Sequence, residues 1–279
     1  MRVRFASWNV GCPSPERLKR QLERLAELEC DVVALQEVSL QNCVLARESR
    51  VFATVLGGSD LRPVLPDEGR SRDRGCAILL GAAAKQVAPA GILDGSAAPE
   101  RSLYVPIELS GEALWIASFH QVAGSDRKKW GPAKKAQTFR AIVEWMGRHG
   151  ERSIVGMDLN SPMIDHPELA RNVYFHDRRP GDQEEHLLHD PTSARHTLVD
   201  AYRALLRDRP DELERIRRER PAGPLQISHV VRGQPRRFDF VYVSPDIRVV
   251  DVRYDGSVME RGLESRLADH ALVVADLDV

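Results

Sequence analysis

The chain has 279 residues, 42% of them hydrophobic, which is enough to bury a sizeable core in one large domain or two modest ones. Its 40 basic and 41 acidic residues give a formal net charge of -1. A balance so close to neutral excludes attraction of the whole molecule to nucleic acid or membrane by net charge. Any binding of a polyanion must therefore depend on local basic patches, and no apolar run is long enough to span a membrane.

The cysteines are scattered and form no CxxC pair: Cys12, Cys30, Cys43 and Cys76. The first residues, MRVRFASW, contain no apolar stretch of signal-peptide length. We therefore expect a reducing, cytoplasmic setting in which the cysteines are ordinary thiols. We expect no membrane association, and no obligate protein partner is evident from the sequence.

The chain begins with a predicted strand, Val3 to Trp8, that ends at Asn9. An amphipathic helix is predicted from Pro15 to about Cys30, with Ser14 as its N-cap. A buried strand, Asp31 to Glu37, follows and ends in a carboxylate. Strand, helix and parallel strand form one right-handed crossover unit, so Asn9 and Glu37 should lie at the same edge of a sheet.

Several more elements are predicted along the chain. A hairpin turning at Ser110-Gly111 delivers His120 at the end of its second strand, and an amphipathic helix covers about Pro132 to Gly147. A further helix is predicted around Leu198 to Leu206, and the charged stretch Pro210 to Arg220 indicates an exposed helix. The remaining predicted strands are Val51 to Leu56, Gly75 to Leu80, Arg237 to Val243, Ile247 to Val252 and Asp269 to Ala275. No internal repeat and no linker-like shift in composition divides the chain, so we expect one domain over residues 1–279.

A short buried strand around Ile154 and Val155 ends in Asp158 and Asn160. These two side chains, two residues apart in extended backbone, point the same way. The Ser-Pro turn that follows is typical of the strand ends at which α/β sheets bind ligands. We therefore expect the active site here.

Acids, amides or imidazoles recur next to apolar runs in six separate regions, and this repetition is the signal: Asn9, Glu37, His120, Asp158, Asn160, Asp239, Asp269 and His270. Each one taken singly is more often a structural, hydrogen-bonded residue. Together, Glu37 and Asp269 would suffice to hold Mg²⁺. Asp158 could orient a water molecule, and the remaining amide and imidazole groups could donate to a phosphate. Asp239 fits as the partner that fixes the tautomer of His270.

The ordered motifs SWNVG, LQEV, SFHQ, GMDLN, RFDFVYVS and ADH resemble those of the endonuclease/exonuclease/phosphatase superfamily, which is also called DNase I-like. The resemblance spans the chain from Asn9 to His270. It implies an α/β fold, a four-layered sandwich of two mixed sheets packed face to face with helices outside. It also implies dependence on Mg²⁺ (or Mn²⁺).

The resemblance further implies roles for individual residues. Glu37 would be the chief metal ligand, supported by Asn9 and Asp269. Asp158 would align the attacking water, and Asp239 would pair with His270; Asn160 and His120 would contact the scissile phosphate.

Three positions depart from the commonest pattern of that superfamily. Ala268 stands where a serine usually precedes the Asp-His pair, and this removes a hydroxyl group but no metal ligand. His120 replaces the tyrosine of exonuclease III-like repair enzymes, which makes an abasic-site endonuclease less fitting. Gly11 replaces an acid found in some members, which weakens the case for a second metal.

Three basic clusters lie close in sequence to the candidate residues, in the ranges 70–74, 127–135 and 236–237. They favour an anionic substrate larger than one phosphate, although a solvated helix start explains the second cluster equally well. Trp130 could stack on a base or could anchor its loop by packing. We expect the substrate to contact Arg74, Arg127, Lys128 and Trp130.

Five histidines between His166 and His196 invite a zinc hypothesis, but their spacing does not resemble a compact tetrahedral site, and a substrate-facing loop is the better interpretation. The expected function is a metal-dependent phosphoesterase that cleaves phosphodiester bonds by direct water attack, with nucleic acid or a nucleotide derivative as its anionic substrate. A phosphatase or phosphodiesterase acting on a small phosphorylated metabolite or lipid headgroup is the first alternative. A catalytically silent binding module is the second.

Overall fold

The computed structural model describes residues 1–48, 52–55, 75–122, 131–175, 184–189, 195–259 and 266–279. The strands are β1 (Arg2–Asn9), β2 (Val32–Val38), β3 (Ala53–Val55), β4 (Gly75–Leu80), β5 (Ala84–Gln86), β6 (Ser102–Leu109), β7 (Glu112–His120), β8 (Ser153–Asp158), β9 (Val199–Asp200), β10 (His229–Val231), β11 (Gln234–Arg236), β12 (Asp239–Val243), β13 (Arg248–Asp255) and β14 (Leu272–Asp278). The helices are α1 (Pro15–Glu27), α2 (Leu40–Glu48), α3 (Pro132–Arg148), α4 (Glu184–His189), α5 (Ala201–Asp208) and α6 (Pro210–Glu219).

Two six-stranded mixed sheets carry the fold, with the strand orders β13-β14-β1-β2-β4-β3 and β5-β6-β7-β8-β12-β9. We call them the first and the second sheet. Strands β10 and β11 form a separate hairpin. Parallel pairing is found between β1 and β2 and between β7 and β8. The helices α1 and α3 make the two crossovers, so each sheet contains one strand-helix-strand unit flanked by antiparallel strands.

Three buried apolar clusters define four layers. One lies between the sheets and includes Phe5 and Ile116 from facing strands. A second joins the outer face of the first sheet to α1, and a third joins the outer face of the second sheet to α3, where Trp145 packs. Alternate residues of a strand enter different clusters, as the two-residue period of a strand requires. The predicted four-layered α/β sandwich is therefore confirmed.

Several predicted elements have the bounds and caps that the sequence indicates. Ser14 accepts a hydrogen bond from the backbone N–H of Arg17 and begins α1. The hairpin between β6 and β7 turns at Ser110 and Gly111, whose φ angles of 51° and 88° suit a tight two-residue turn. Within the described ranges, no helix combines the length and the apolarity needed to cross a membrane.

Three predicted boundaries shift in the structure. The helix predicted from Leu198 begins at Ala201, because Asp200 caps it by accepting hydrogen bonds from two backbone N–H groups. The last strand begins at Leu272, so Asp269 and His270 lie on the approach to β14. Strand β12 begins at Asp239, because the preceding Arg237 is committed to a buried ion-pair network.

Arg237 belongs to one of the three basic clusters that favour a large anionic substrate, but the structure buries it. Its guanidinium is 1% exposed and donates to Asp165 at 2.9 Å and to Asp200 at 2.7 Å. It also donates to the Tyr254 hydroxyl at 2.8 Å, and that hydroxyl donates to the backbone carbonyl of Asp239 at 2.9 Å. Arg237 therefore connects the loop after β8, the start of α5 and the start of β12, and it does not face a substrate.

The sheets approach each other closely near the ends of β1, β2 and β8. A Cβ atom placed on Gly156 would lie 2.7 Å from the Ser7 hydroxyl oxygen and 2.8 Å from the Ala34 Cβ. Ser118, on β7, donates to the Leu35 carbonyl of the facing sheet at 2.8 Å. Small side chains therefore allow polar groups of the two sheets to meet at this end.

We predict that Gly156→Ala lowers the free energy of unfolding by about 1–3 kcal/mol, because the added methyl group overpacks the contact between the sheets. Denaturant unfolding measures this change. Gly256→Ala is the matched control, since a Cβ there would lie 3.7 Å from the Met259 Cε, an ordinary contact. Equal stability of the two variants would contradict the proposed tight approach.

Candidate active site

The second sheet places three predicted site residues in one row. His120 is the register neighbour of Asp158 across the parallel pair β7 and β8, and Asp158 is the neighbour of Asp239 across the antiparallel pair β8 and β12. β12 runs opposite to β8, so Asp239 reaches this edge by standing at the start of its strand. All three side chains are buried. This pairing explains why three side chains that are far apart in the sequence lie next to one another in the structure.

The first sheet brings Asn9 and Glu37 to the same place. The Asn9 amide donates to Asp158 Oδ2 at 2.8 Å, and its Oδ1 accepts from the Gly11 backbone N–H at 3.0 Å. Glu37 has a φ of 55° and stands where the pairing between β2 and β4 shifts register. This bulge aims the side chain toward the row, and Glu37 Oε1 lies 3.6 Å from His120 Nε2.

His270 completes the group from the approach to β14. Its Nδ1 donates to Asp239 Oδ2 at 2.8 Å, and its backbone carbonyl accepts from the Trp8 indole at 3.2 Å. Burial alone would lower the pKa of His270, but the nearby carboxylates of Asp239 and Asp158 outweigh it and raise that pKa to about 10. The imidazole is therefore protonated at neutral pH, and both of its nitrogens are donors.

Asp158 stands at the centre of the group. Its Oδ1 accepts from the Asn160 backbone N–H at 2.9 Å, and its Oδ2 accepts from Asn9. Burial raises the pKa of Asp158 above its ordinary value, against the opposing effect of the His270 cation. His120 Nε2 and His270 Nε2 lie 3.6 Å and 3.9 Å from Asp158 Oδ2, too far for direct hydrogen bonds. A water beside these groups could donate to Asp158 and accept from His270 Nε2, and a phosphoryl oxygen could accept from His270 Nε2.

Asn160 is held in a left-handed conformation, with a φ of 47°. Its amide donates to the Gln121 carbonyl at 3.0 Å and lies 3.4 Å from Asp158 Oδ2. Its own backbone carbonyl accepts from Lys135 Nζ at 2.9 Å. Lys135 is 2% exposed and also pairs with Glu185 at 3.3 Å. Lys135 therefore supports Asn160 from inside the protein, so it belongs neither to a solvated helix start nor to a substrate-facing rim.

The residues predicted to hold a cation lie beside the turn formed by Gly11 and Cys12. A Cβ atom placed on Gly11 would lie 3.1 Å from Asp269 Oδ1, and the Cys12 backbone N–H donates to the Glu37 carbonyl at 2.9 Å. Gly11 also has a φ of 65°, a backbone conformation that favours glycine. This conformation explains why a glycine stands here, where some members of the resembled superfamily have an acidic residue. Two carboxylates and an amide oxygen form a hard donor set of the kind that Mg²⁺ prefers. Asn9, Glu37 and Asp269 therefore fit such an ion.

A second group of possible metal ligands exists in Asp158, Asp239 and His270, whose ligand atoms lie within 4.8 Å of one another. The Nδ1 of His270 is already bonded to Asp239. A protonated imidazole has no lone pair for a metal. We therefore interpret this group as a hydrogen-bonded acid-base cluster.

Arg101 was not predicted. It ends a 3-10 turn just before β6, is 7% exposed, and places Nη1 3.3 Å from His120 Nε2. The segment that carries Arg101 lacks any motif. The only sequence signal for this residue was its position opposite the end of β7, where Ser102 pairs with Phe119. Arg101 adds a fixed positive charge beside His120.

Other predicted residues do not join the site. Arg74, Arg127, Lys128 and Trp130 lie outside the described residues. Of the histidines considered for zinc, those in the described ranges do not take part in a group of three possible metal ligands. His189, for example, contacts the Tyr242 hydroxyl at 2.9 Å.

Comparison with solved structures shows the fold: the chain has the DNase I-like fold of endonuclease/exonuclease/phosphatase proteins. The resemblance inferred from the motifs is therefore confirmed at the level of the fold. No protein-family model matches the sequence, and no curated protein sequence matches it.

Among solved structures, the chain is similar to D. rerio TDP2 humanized by 14 mutations, with a TM-score of 0.67, 16% identity, and coverage of 100% of this chain and 99% of the other. D. rerio TDP2 complexed with a single-strand DNA product gives a TM-score of 0.66 at 16% identity, with the same coverage. An endonuclease/exonuclease/phosphatase from Bacteroides vulgatus gives 0.64 at 15% identity, covering 100% and 99%. The human Nocturnin catalytic domain with bound sulfate gives 0.59 at 17% identity, covering 99% and 93%.

We predict that Asp239→Asn lowers the pKa of His270 and makes stability respond differently to pH. The raised pKa of His270, about 10 against an ordinary 6.5, stabilises the folded state fully below the ordinary value, and this contribution is lost as pH rises through about 10. The loss of stability caused by Asp239→Asn should therefore be largest near about pH 6 and shrink toward about pH 10. Urea unfolding of the metal-free protein across this range measures it. A difference that is independent of pH would contradict the His270–Asp239 charge pairing.

Proposed function

We propose that this chain is a divalent-metal-dependent phosphoesterase that hydrolyses phosphodiester bonds by direct attack of water, and that residues 1–279 form one catalytic domain. One observation carries the proposal. His120, Asp158 and Asp239 stand in a row across three strands, and Asn9 and His270 reach that row from the other sheet through hydrogen bonds of 2.8 Å.

Each residue has a task that its contacts support. Asp158 orients the attacking water and accepts its proton, because Asn9 and the Asn160 backbone N–H hold the carboxylate in one orientation. His270 donates to a phosphoryl oxygen from the position where its Nε2 atom flanks Asp158 Oδ2, and His120, whose Nε2 also lies near that oxygen, contacts the phosphate.

The surrounding residues maintain that arrangement. Asp239 fixes the His270 tautomer through Nδ1, and Arg101 adds positive charge beside His120. Asn160 contacts the phosphate through the amide that lies beside Asp158. Asn9, Glu37 and Asp269 would hold Mg²⁺ or Mn²⁺, which supplies charge stabilisation for the phosphate and the leaving oxygen when bound.

Nucleic acid or a nucleotide derivative is the proposed substrate class. Support comes from the similar structure of TDP2, whose complex contains a single-strand DNA product, at an identity of 16%. A small phosphorylated metabolite or lipid headgroup is the second candidate. It is favoured by the net charge of -1 and by the burial of Lys135 and Arg237, which removes two cations from the basic clusters. A silent binding module fits less well, because the full set of acids and imidazoles is present.

We predict hydrolysis of bis-p-nitrophenyl phosphate in the presence of Mg²⁺ or Mn²⁺, abolished by EDTA. Asp158→Asn should lower kcat by about 10²–10⁴-fold, because the water loses its base. Glu37→Gln should raise the metal concentration needed for half-maximal rate, because the cation loses a charged ligand. Steady-state kinetics with metal titration measure both effects.

Asp94→Asn is the control for these variants, since this aspartate is exposed. It should retain the activity of the unmodified protein. Full activity in Asp158→Asn, or activity that resists EDTA, would contradict the proposed roles.

We predict that substrates with a phosphodiester backbone are preferred over monoesters. Plasmid DNA, single-stranded oligonucleotides, RNA, mononucleotides, sugar phosphates and a phosphocholine lipid should be compared at equal metal concentration. The expected result is a higher kcat/KM for at least one polynucleotide or dinucleotide. Release of phosphate from a small metabolite while all polynucleotides stay intact would favour the second candidate.

A further inference from the structure

His229 lies on one face of the His270 ring. The two imidazoles are stacked with their centroids 4.1 Å apart and their planes 14° from parallel. His229 begins β10, and its backbone forms an isolated bridge with the backbone of His270. The ring of a residue that carries none of the expected motifs therefore covers the proposed acid-base histidine.

His229 is itself anchored at its ring and its backbone. Its Nδ1 lies 2.7 Å from the Asp269 backbone carbonyl, to which it donates. The preceding residue, Ser228, accepts from the Ala271 backbone N–H at 2.8 Å through its carbonyl. The Ser228 hydroxyl accepts from the backbone N–H groups of Phe238 and Asp239 at 2.9 Å and 3.1 Å. The pair Ser228–His229 thus joins the segment carrying His270 to the strand carrying Asp239.

The His270 ring needs such a support. Its hydrogen bond to Asp239 holds one edge of the ring, at Nδ1. A single in-plane bond leaves the ring able to tilt about that contact, which would move Nε2 at the far side. Productive placement of a reacting group tolerates displacements of only about 0.5 Å and about 10–20°. A parallel ring in van der Waals contact opposes the tilt because it covers the face toward which the ring would move.

We propose that His229 is a positioning residue that holds the His270 imidazole in the plane in which Nδ1 meets Asp239 and Nε2 faces Asp158. The role belongs to the stacked ring, and the Nδ1 bond to Asp269 serves to place that ring. This proposal rests on the function proposed above for His270.

The test compares His229→Ala with His229→Phe in the full-length protein with Mg²⁺ or Mn²⁺. His229→Ala removes the stacked ring and should lower kcat by about 10–100-fold with KM changed by less than about twofold, since small misplacements near the chemistry cost up to about 10²-fold. His229→Phe keeps a ring against His270 and should stay within about fivefold of the unmodified kcat.

His149→Ala is the matched control. His149 is also stacked, on Trp145 at 4.5 Å and 16°, and its Nδ1 also lies 3.0 Å from a backbone carbonyl. It lies outside the proposed site, so its loss should lower stability without changing kcat. Equal kcat losses in His149→Ala and His229→Ala would overturn the proposal. So would a His229→Phe variant as impaired as His229→Ala, or a rise in KM at constant kcat.

A second readout does not depend on activity. Proton NMR of the metal-free protein should show the His270 Nδ1–H resonance of the bond to Asp239 in the unmodified protein and in His229→Phe. The resonance should be broadened or lost in His229→Ala, and its persistence there would overturn the proposal. If the unmodified protein hydrolyses no phosphoester, the proposed function fails, and this NMR comparison alone decides whether His229 positions the ring.

Discussion

Two side-chain hydrogen bonds that cross between the sheets hold the candidate site together: Asn9 to Asp158, and His270 to Asp239. Each joins a residue carried by the first sheet to a carboxylate of the second. Bonds to charged groups of this kind contribute about 1.5–3 kcal/mol each. They can form because small residues such as Gly156 let the sheets approach at this end. The geometry of the candidate site therefore depends on the close packing of the two sheets beside it.

The site concentrates negative charge in a buried place. Asp158 and Asp239 are almost fully buried side by side, and the positive charge of His270 opposes their repulsion. Asp239 Oδ1 has no hydrogen-bond partner within the described ranges. An unsatisfied buried oxygen lowers stability, and proteins tolerate such features mainly at functional sites. A bound cation would reduce the same repulsion, which agrees with the oxygen-rich set beside it.

Hydrophobic period was sufficient to predict the strand ends that carry the eight residues brought to one edge, and the sandwich architecture was implied by the resemblance of the motifs to a known superfamily. The sequence was insufficient for the residues that support them. Arg237 and Lys135 stand in basic stretches of the sequence that are typical of an exposed patch, and only tertiary contacts show that both are buried. His229 and Arg101 contact His270 and His120 across paired segments, and no local motif marks either residue. The bulge at Glu37 likewise depends on pairing with β4.

The ion pairs of Arg237 have a consequence for how this protein could acquire a new specificity. The loop after β8 is attached through Asp165 to the strand that begins with Asp239. Removing one partner of a buried pair typically costs about 3–5 kcal/mol, a large part of a domain's total stability. Evolution or engineering can therefore vary the exposed positions of this loop, but an exchange of the whole loop must carry Asp165 with it. A change of this loop that alters substrate specificity therefore also changes the stability of the protein if it removes Asp165.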